Sequence, residues 1–241
     1  MSIHKYLFTT KQYIKKKIPI KSQFSEKLRN STESKYVGSP GPLVDVYNKL
    51  RLIPGWFNLD DCIHFNLILQ MQSAHGMKGD IFEIGSFYGR STALMATCLK
   101  EDEKIFVCDA FQGDTDDRYS NKPTPDYLLS NVMNVNPGLS SDKLVIFACL
   151  SNDLQMESNL RFRFIHIDGG HSREQVKFDL ALCKEHIQPK GIIAVDDYDH
   201  RDWLGVLKGV NEFLDENKDM EIFADLNRHG AIGRKIYLAK K

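Results

Sequence analysis

Asp168, Asp196 and Asp197 stand at the ends of apolar runs, and that is the first place in this chain where chemistry can be read. One run, Phe164 to Ile167, ends on Asp168 and is followed by Gly169, Gly170 and His171. The other, Gly191 to Val195, ends on the pair Asp196-Asp197. The segment between them reads as a helix, and two buried strands joined by a helix must lie parallel. Their carboxyl ends then share one edge of the sheet, the edge at which open α/β sheets bind ligands. Three carboxylates gathered there repel one another unless a cation sits among them. The spacing therefore predicts a metal site formed by Asp168, Asp196 and Asp197, holding Mg²⁺ or another divalent cation. Asp196-Asp197 alone would suit an ordinary strand-end turn; Asp168 in the matching place is what points to a metal. An imidazole is the side chain suited to take a proton near neutral pH, so His171 is the candidate catalytic base, with His200 as the alternative. His166 falls inside a strand and reads as a hydrogen-bonded core or edge histidine. A zinc site on His166 and His171 lacks a thiolate or third histidine at suitable spacing.

A second constellation lies upstream. The short apolar strand Asp80 to Ile84 runs into Gly85-Ser86-Phe87-Tyr88-Gly89-Arg90-Ser91 and then into a helix. Such a turn lets a ligand approach the backbone, and the helix start offers unpaired N–H groups. The next strand, Lys104 to Cys108, ends on Asp109, an acid well placed for ribose hydroxyls. The dinucleotide fingerprint G-x-G-x-x-G is absent, because Phe87 stands where the second glycine would be. Together these features predict a nucleoside cofactor without a pyrophosphate.

The elements that must position these residues follow from the pattern. Helices are expected from Pro42 to Leu50, from a cap at Asp60 to Gly76, after the glycine turn, near Tyr127 to Met133, from Ser172 (with Gln175 as a capping box) to Ile187, and from Trp203 to Leu214. Strands are expected at 80–84, 104–108, 144–148, 163–167, 191–195, 221–224 and 235–239. Gln112 to Pro137 reads mainly as a loop on the active-site side. The 241 residues suit one α/β domain, 42–241, capped by its first helices, and preceded by a basic arm and linker over 1–41. Nine Lys or Arg in the first 35 residues face only Glu26 and Glu33, yet Lys plus Arg equal Asp plus Glu, 32 each, over the whole chain. That balance gives no global argument for a nucleic-acid partner. The five cysteines show no C-x-x-C spacing, which suggests reduced thiols and a cytoplasmic setting. No apolar run approaches a membrane span, and lysines interrupt any signal-peptide core.

The stretches FEIGSFYGRST (82–92), VCDAFQG (107–113), FIHIDGGHSREQV (164–176) and AVDDY (194–198) resemble class I S-adenosylmethionine-dependent methyltransferases. The resemblance covers about residues 56–241 and is greatest to metal-dependent small-molecule O-methyltransferases of the macrocin and novobiose sugar group. It implies a Rossmann-like, seven-stranded, mostly parallel sheet of order 3-2-1-4-5-7-6, last strand antiparallel, with helices on both faces. It implies S-adenosylmethionine as cofactor, bound by Glu83, Gly85, Ser86, Phe87, Gly89, Ser91, Asp109, Ser151 and Asp168, with Asp109 on the ribose and Ser151 at the adenine. Asp168, Asp196 and Asp197 match the family's metal ligands. The implied acceptor is a small hydroxylated molecule, a sugar or glycosylated metabolite, and a homo-oligomer is compatible with it. Sugar-type relatives often carry an acidic base where this chain has Gly170, so that role would pass to His171 or His200. The rival expectations are a cephalosporin-hydroxylase-like enzyme on the same sheet and a binding protein that keeps the fold without turnover.

Overall fold

The computed structural model describes residues 43–111 and 122–241. The expected basic arm and the first part of the Gln112–Pro137 loop lie outside the described residues. The remainder of that segment forms a helix. In chain order the elements are α1 (Leu43–Leu50), α2 (Leu59–Ala74), β1 (Asp80–Ile84), α3 (Arg90–Ala96), β2 (Ile105–Cys108), α4 (Pro125–Val135), β3 (Leu144–Phe147), β4 (Phe162–Ile167), α5 (Arg173–His186), β5 (Ile187–Tyr198), α6 (Leu204–Glu216), β6 (Met220–Leu226) and β7 (Arg234–Lys240).

The strands form one sheet of order β3-β2-β1-β4-β5-β7-β6. β1 pairs parallel with β2 and β4, β2 with β3, and β4 with β5. β7 runs antiparallel to both β5 and β6. This is the expected topology. Side chains alternate across it, which divides the core in two. Ile81, Val107, Phe164 and Ala194 face α2, α3 and α4, where Phe65, Leu69, Leu94 and Val132 pack on them. Phe82, Ile165, Ile193 and Val195 face α5 and α6, against Leu180, Cys183, Val210 and Phe213. Burial on both faces is why these strands read as continuous apolar runs rather than as alternating ones.

The helix starts follow side-chain chemistry. Thr124 caps α4, with Pro125 in its first turn, and Ser172 accepts the Gln175 N–H at the start of α5. The cap of α2 is Asn58, not Asp60. Asn58 and Asp61 exchange reciprocal side chain–backbone bonds of 3.0 and 2.9 Å. Asp60 instead accepts the His229 backbone N–H at 2.6 Å and so ties the β6–β7 hairpin to α2. All five cysteines are free thiols. Among the described residues no helix is long and apolar enough to cross a membrane.

Candidate active site

At the carboxyl edge of β1, β2, β4 and β5 the structure opens a cavity of about 980 Å³. Its first wall is the turn between β1 and α3. Gly85 there has φ +80°, and a Cβ on it would lie 2.0 Å from the Asp168 carbonyl oxygen. Only glycine lets the tips of β1 and β4 close to that separation. Asp109, at the end of β2, braces the turn. Its Oδ2 accepts the Ser86 and Phe87 N–H groups, each at 2.8 Å, and its Oδ1 accepts the Phe111 N–H at 2.7 Å. Gly85, Ser86, Phe87, Ser91 and Asp109 line the cavity; Glu83 and Gly89 do not. Glu83 is fully buried behind it, accepting from Ser91 Oγ, Thr92 Oγ1 and His166 Nδ1. Gly89 is the helix cap of α3, with φ +82°.

Ser151 lines the cavity farther along. Its hydroxyl donates to Asp179 at 2.6 Å and accepts from Gln175 at 2.9 Å. Burial pushes the Asp179 carboxyl up, opposed by its bonds from Ser151 and, at 2.9 Å, from Gln175.

The second wall holds the acidic cluster. Ligand atoms of Asp168, His171 and Asp197 lie within 4.8 Å of one another, and so do those of His166, Asp168 and Asp196. The three aspartates therefore converge, and His171 Nε2 stands 3.3 Å from Asp197 Oδ2. A regular strand could not bring Asp196 and Asp197 to one place, because neighbours on a strand point to opposite faces. The sheet register explains it. Val195 pairs with Ile236 and Tyr198 with Arg234, so Asp196 and Asp197 together stand opposite Lys235 alone. That is a β-bulge, and Asp197 adopts φ +55° within it.

The two carboxylates on the β4 and β5 tips sit in different fields. Asp196 Oδ2 lies 2.5 Å from Lys235 Nζ, and its Oδ1 lies 2.8 Å from Arg228 Nη1. Burial opposes the charge on Asp196, but Lys235 and then Arg228 outweigh it and hold the carboxyl below the ordinary carboxylate range. Asp168 opens onto the cavity while being walled by protein on its other sides. Loss of bulk solvent, and then repulsion from Asp196, push its carboxyl well above the usual value despite Lys235. So Asp196 is already compensated and Asp168 is not.

Lys235 is fully buried. Its ammonium also donates to His166 Nε2 at 3.1 Å and sits over the Phe57 and Phe65 rings. An ammonium only donates, so His166 Nε2 must accept, which leaves the ring proton on Nδ1 for Glu83. His166 is thus a hydrogen-bonded core histidine, as its strand position suggests.

Five residues that sequence reasoning did not single out complete the site. Arg90 donates to five carbonyls, those of Leu50, Arg51, Ile53, Gly55 and Phe57, at 2.7 to 3.2 Å. It pins the α1–α2 connection beside the β1–α3 turn, and Trp56 on that connection lies 5.5 Å from the Phe87 ring. Trp203 stacks on His171 at 4.3 Å, with His200 on it at 5.9 Å. Arg228 and Lys235 come from the β6–β7 hairpin. The signal for Lys235 was present: Glu83, His166 and Lys235 each interrupt an apolar strand in the same alternation, on the α2 side of the sheet.

Residues 82–198 match the family described as Methyltransferase domain. No curated protein matches the chain. Among solved structures, the O-methyltransferase NovP is 16% identical with a TM-score of 0.60, covering 90% of this chain and 98% of its own. An O-methyltransferase from Bacillus cereus in complex with SAH is 14% identical with a TM-score of 0.59, covering 89% of this chain and 97% of its own. CalS11, a TDP-rhamnose 3'-O-methyltransferase of calicheamicin biosynthesis, is 18% identical with a TM-score of 0.55, covering 90% of this chain and 95% of its own. The fold is that of these O-methyltransferases, with a methyltransferase-domain match over the segment that carries the turn, Asp109, Ser151 and the acidic cluster.

Proposed function

We propose that this protein is an S-adenosylmethionine-dependent O-methyltransferase that acts, with a divalent cation such as Mg²⁺, on a hydroxyl of a sugar or glycosylated small molecule. The observation that carries the reading is one continuous cavity. It joins the braced glycine turn, Asp109 and Ser151 on one side to Asp168, His171 and Asp197 on the other. The similarity to O-methyltransferases, one described as acting on TDP-rhamnose and one in complex with SAH, supports it.

The residues present fit both groups. The close-packed turn at Gly85, Asp109 and the hydroxyl of Ser151 line one cavity and suit the cofactor's methionine, ribose and adenine parts. Asp168, uncompensated and open to the cavity, suits a hard cation, with Asp197 beside it. When bound, the sulfonium supplies the electrophilic methyl group and the cation acidifies and orients the acceptor hydroxyl. His171 takes the hydroxyl proton on its imidazole, the ring being held by its stack on Trp203 and lying beside Asp197. Both tryptophans of the chain line this cavity, 60% and 42% exposed, and offer flat apolar faces to an acceptor ring.

The test is calorimetric binding of S-adenosylhomocysteine, paired with methyl transfer from radiolabelled donor to a panel of glycosides, each with and without EDTA. Binding is expected to survive chelation and turnover to be lost. Full turnover in excess EDTA removes the metal from the reading, and no binding at all removes the cofactor.

A further inference from the structure

Each oxygen of Asp196 already faces a cationic side chain. Its Oδ2 faces the Lys235 ammonium at 2.5 Å. Its Oδ1 faces Arg228 Nη1 at 2.8 Å and accepts the Asp197 backbone N–H at 2.7 Å. An ammonium and a guanidinium at those distances already neutralise a carboxylate and would repel a dication brought to the same oxygens.

Neither cation is free to withdraw. Lys235 is buried and sits over two phenyl rings, and its ammonium bonds His166, which in turn bonds Glu83. Arg228 is also buried, and its Nη1 and Nη2 approach Asp61 at 3.5 Å and Asp197 at 3.7 Å. The chain of contacts runs across β1, β4, β5 and β7 on one face of the sheet, so it holds together as a unit. Asp168, by contrast, is exposed to the cavity; its ligand atom lies within 4.8 Å of those of Asp196 and of Asp197, and of these two partners Asp196 is the one with cations at 2.5 and 2.8 Å.

We propose that Lys235 and Arg228 are built-in counter-ions of Asp196, and that this chain holds its divalent cation through Asp168 and Asp197 without Asp196. The proposal rests on the metal-assisted reading above and departs from the three-aspartate set that the resemblance implies. Two carboxylates suffice for Mg²⁺, which commonly binds through one or two and keeps several waters. The bulge serves this division: both aspartates reach the cavity wall, and Asp196 is the one seated on the lysine.

Mn²⁺ is the probe, followed by electron paramagnetic resonance of the free ion, on the full chain with S-adenosylhomocysteine bound. Asp168→Asn and Asp197→Asn should weaken Mn²⁺ by at least about tenfold, the low end even for losing a group that only supports a ligand. Asp196→Asn should stay within about threefold of wild type, under ~1 kcal/mol. Because that variant strands Lys235 and can unfold, D196N/K235M is the companion; it removes both charges of the pair and should keep Mn²⁺ equally well. If a cooperatively melting D196N/K235M loses Mn²⁺ as badly as Asp168→Asn, Asp196 is a ligand and the proposal is overturned. If wild type binds S-adenosylhomocysteine but no Mn²⁺, the proposal falls together with the metal, and methyl transfer is then judged separately by turnover in EDTA.

Discussion

Replacing Lys235 by Met keeps the length of the side chain and its contacts with Phe57 and Phe65 while deleting the charge. Asp196 would keep Arg228 and the Asp197 N–H but lose the cation on Oδ2. Breaking one partner out of a buried ion pair typically costs ~3–5 kcal/mol. For a domain of this size each kcal/mol lowers the melting temperature by about 2–4 °C, so K235M should melt roughly 6–20 °C below wild type. Adding Asp196→Asn should restore much of that. The Asn carbonyl keeps Arg228 and the Asp197 N–H, and its amide turns toward His166 Nε2, which lies 4.0 Å from Oδ2 in wild type. A urea double-mutant cycle followed by circular dichroism then returns a coupling of ~2–4 kcal/mol. The pH dependence has a definite sign. The folded-state pKa of Asp196 is depressed, so its contribution is present above the ordinary carboxylate value near ~3.9 and is lost as pH falls below it. That of Lys235 is raised, since Asp196, Asp61 and Asp168 outweigh its burial. Its contribution is full below the ordinary lysine value near ~10.4 and is lost as pH rises through the higher folded value. The gap between wild type and K235M should therefore be flat from about pH 5 to 9 and shrink below about pH 4. A K235M within ~1 kcal/mol of wild type, or singles whose costs simply add, would refute a coupled buried pair.

Two further outcomes follow from the site. Gly85→Ala forces a left-handed residue, costing about 1–2 kcal/mol by conformation alone, and drives its Cβ into the Asp168 carbonyl. A shift of about 1 Å at that tip should lower turnover ~100-fold, and a wild-type melting temperature with wild-type turnover would contradict the close approach. Trp203→Ala removes the face stacked on His171, so acceptor KM should rise about 2- to 10-fold while S-adenosylhomocysteine affinity, measured calorimetrically, stays unchanged.

The sheet order was legible through the resemblance, and the meeting of Asp168 with Asp196 and Asp197 was legible because it rests on short-range rules. Parallel strands joined by helices must share an edge, and apolar runs show where each strand ends. The counter-charges were not legible in that way. Lys235 reaches Asp196 only once β7 has paired antiparallel to β5 in a particular register, and that pairing spans nearly forty residues. The register then does something that no local pattern announces. By setting Asp196 and Asp197 against Lys235 alone, it breaks the strict alternation of β5 and sends two adjacent carboxylates to different work. The expectation that three close acids gather a cation counts the acids, and the structure adds Lys235 and Arg228 to that list of charges. Glu83, His166 and Lys235, each embedded in an apolar strand, show where the list could have been extended. A charged or titratable residue in a strand buried on both faces needs a partner on a neighbouring strand. Three of them in the same alternation predict a polar row across the sheet. The same reasoning separates structural from functional acids: an acid whose oxygens already face buried cations holds the fold, and one left open to a cavity is available to a ligand. By that criterion Asp196 is tied to the sheet and Asp168 is open to a ligand.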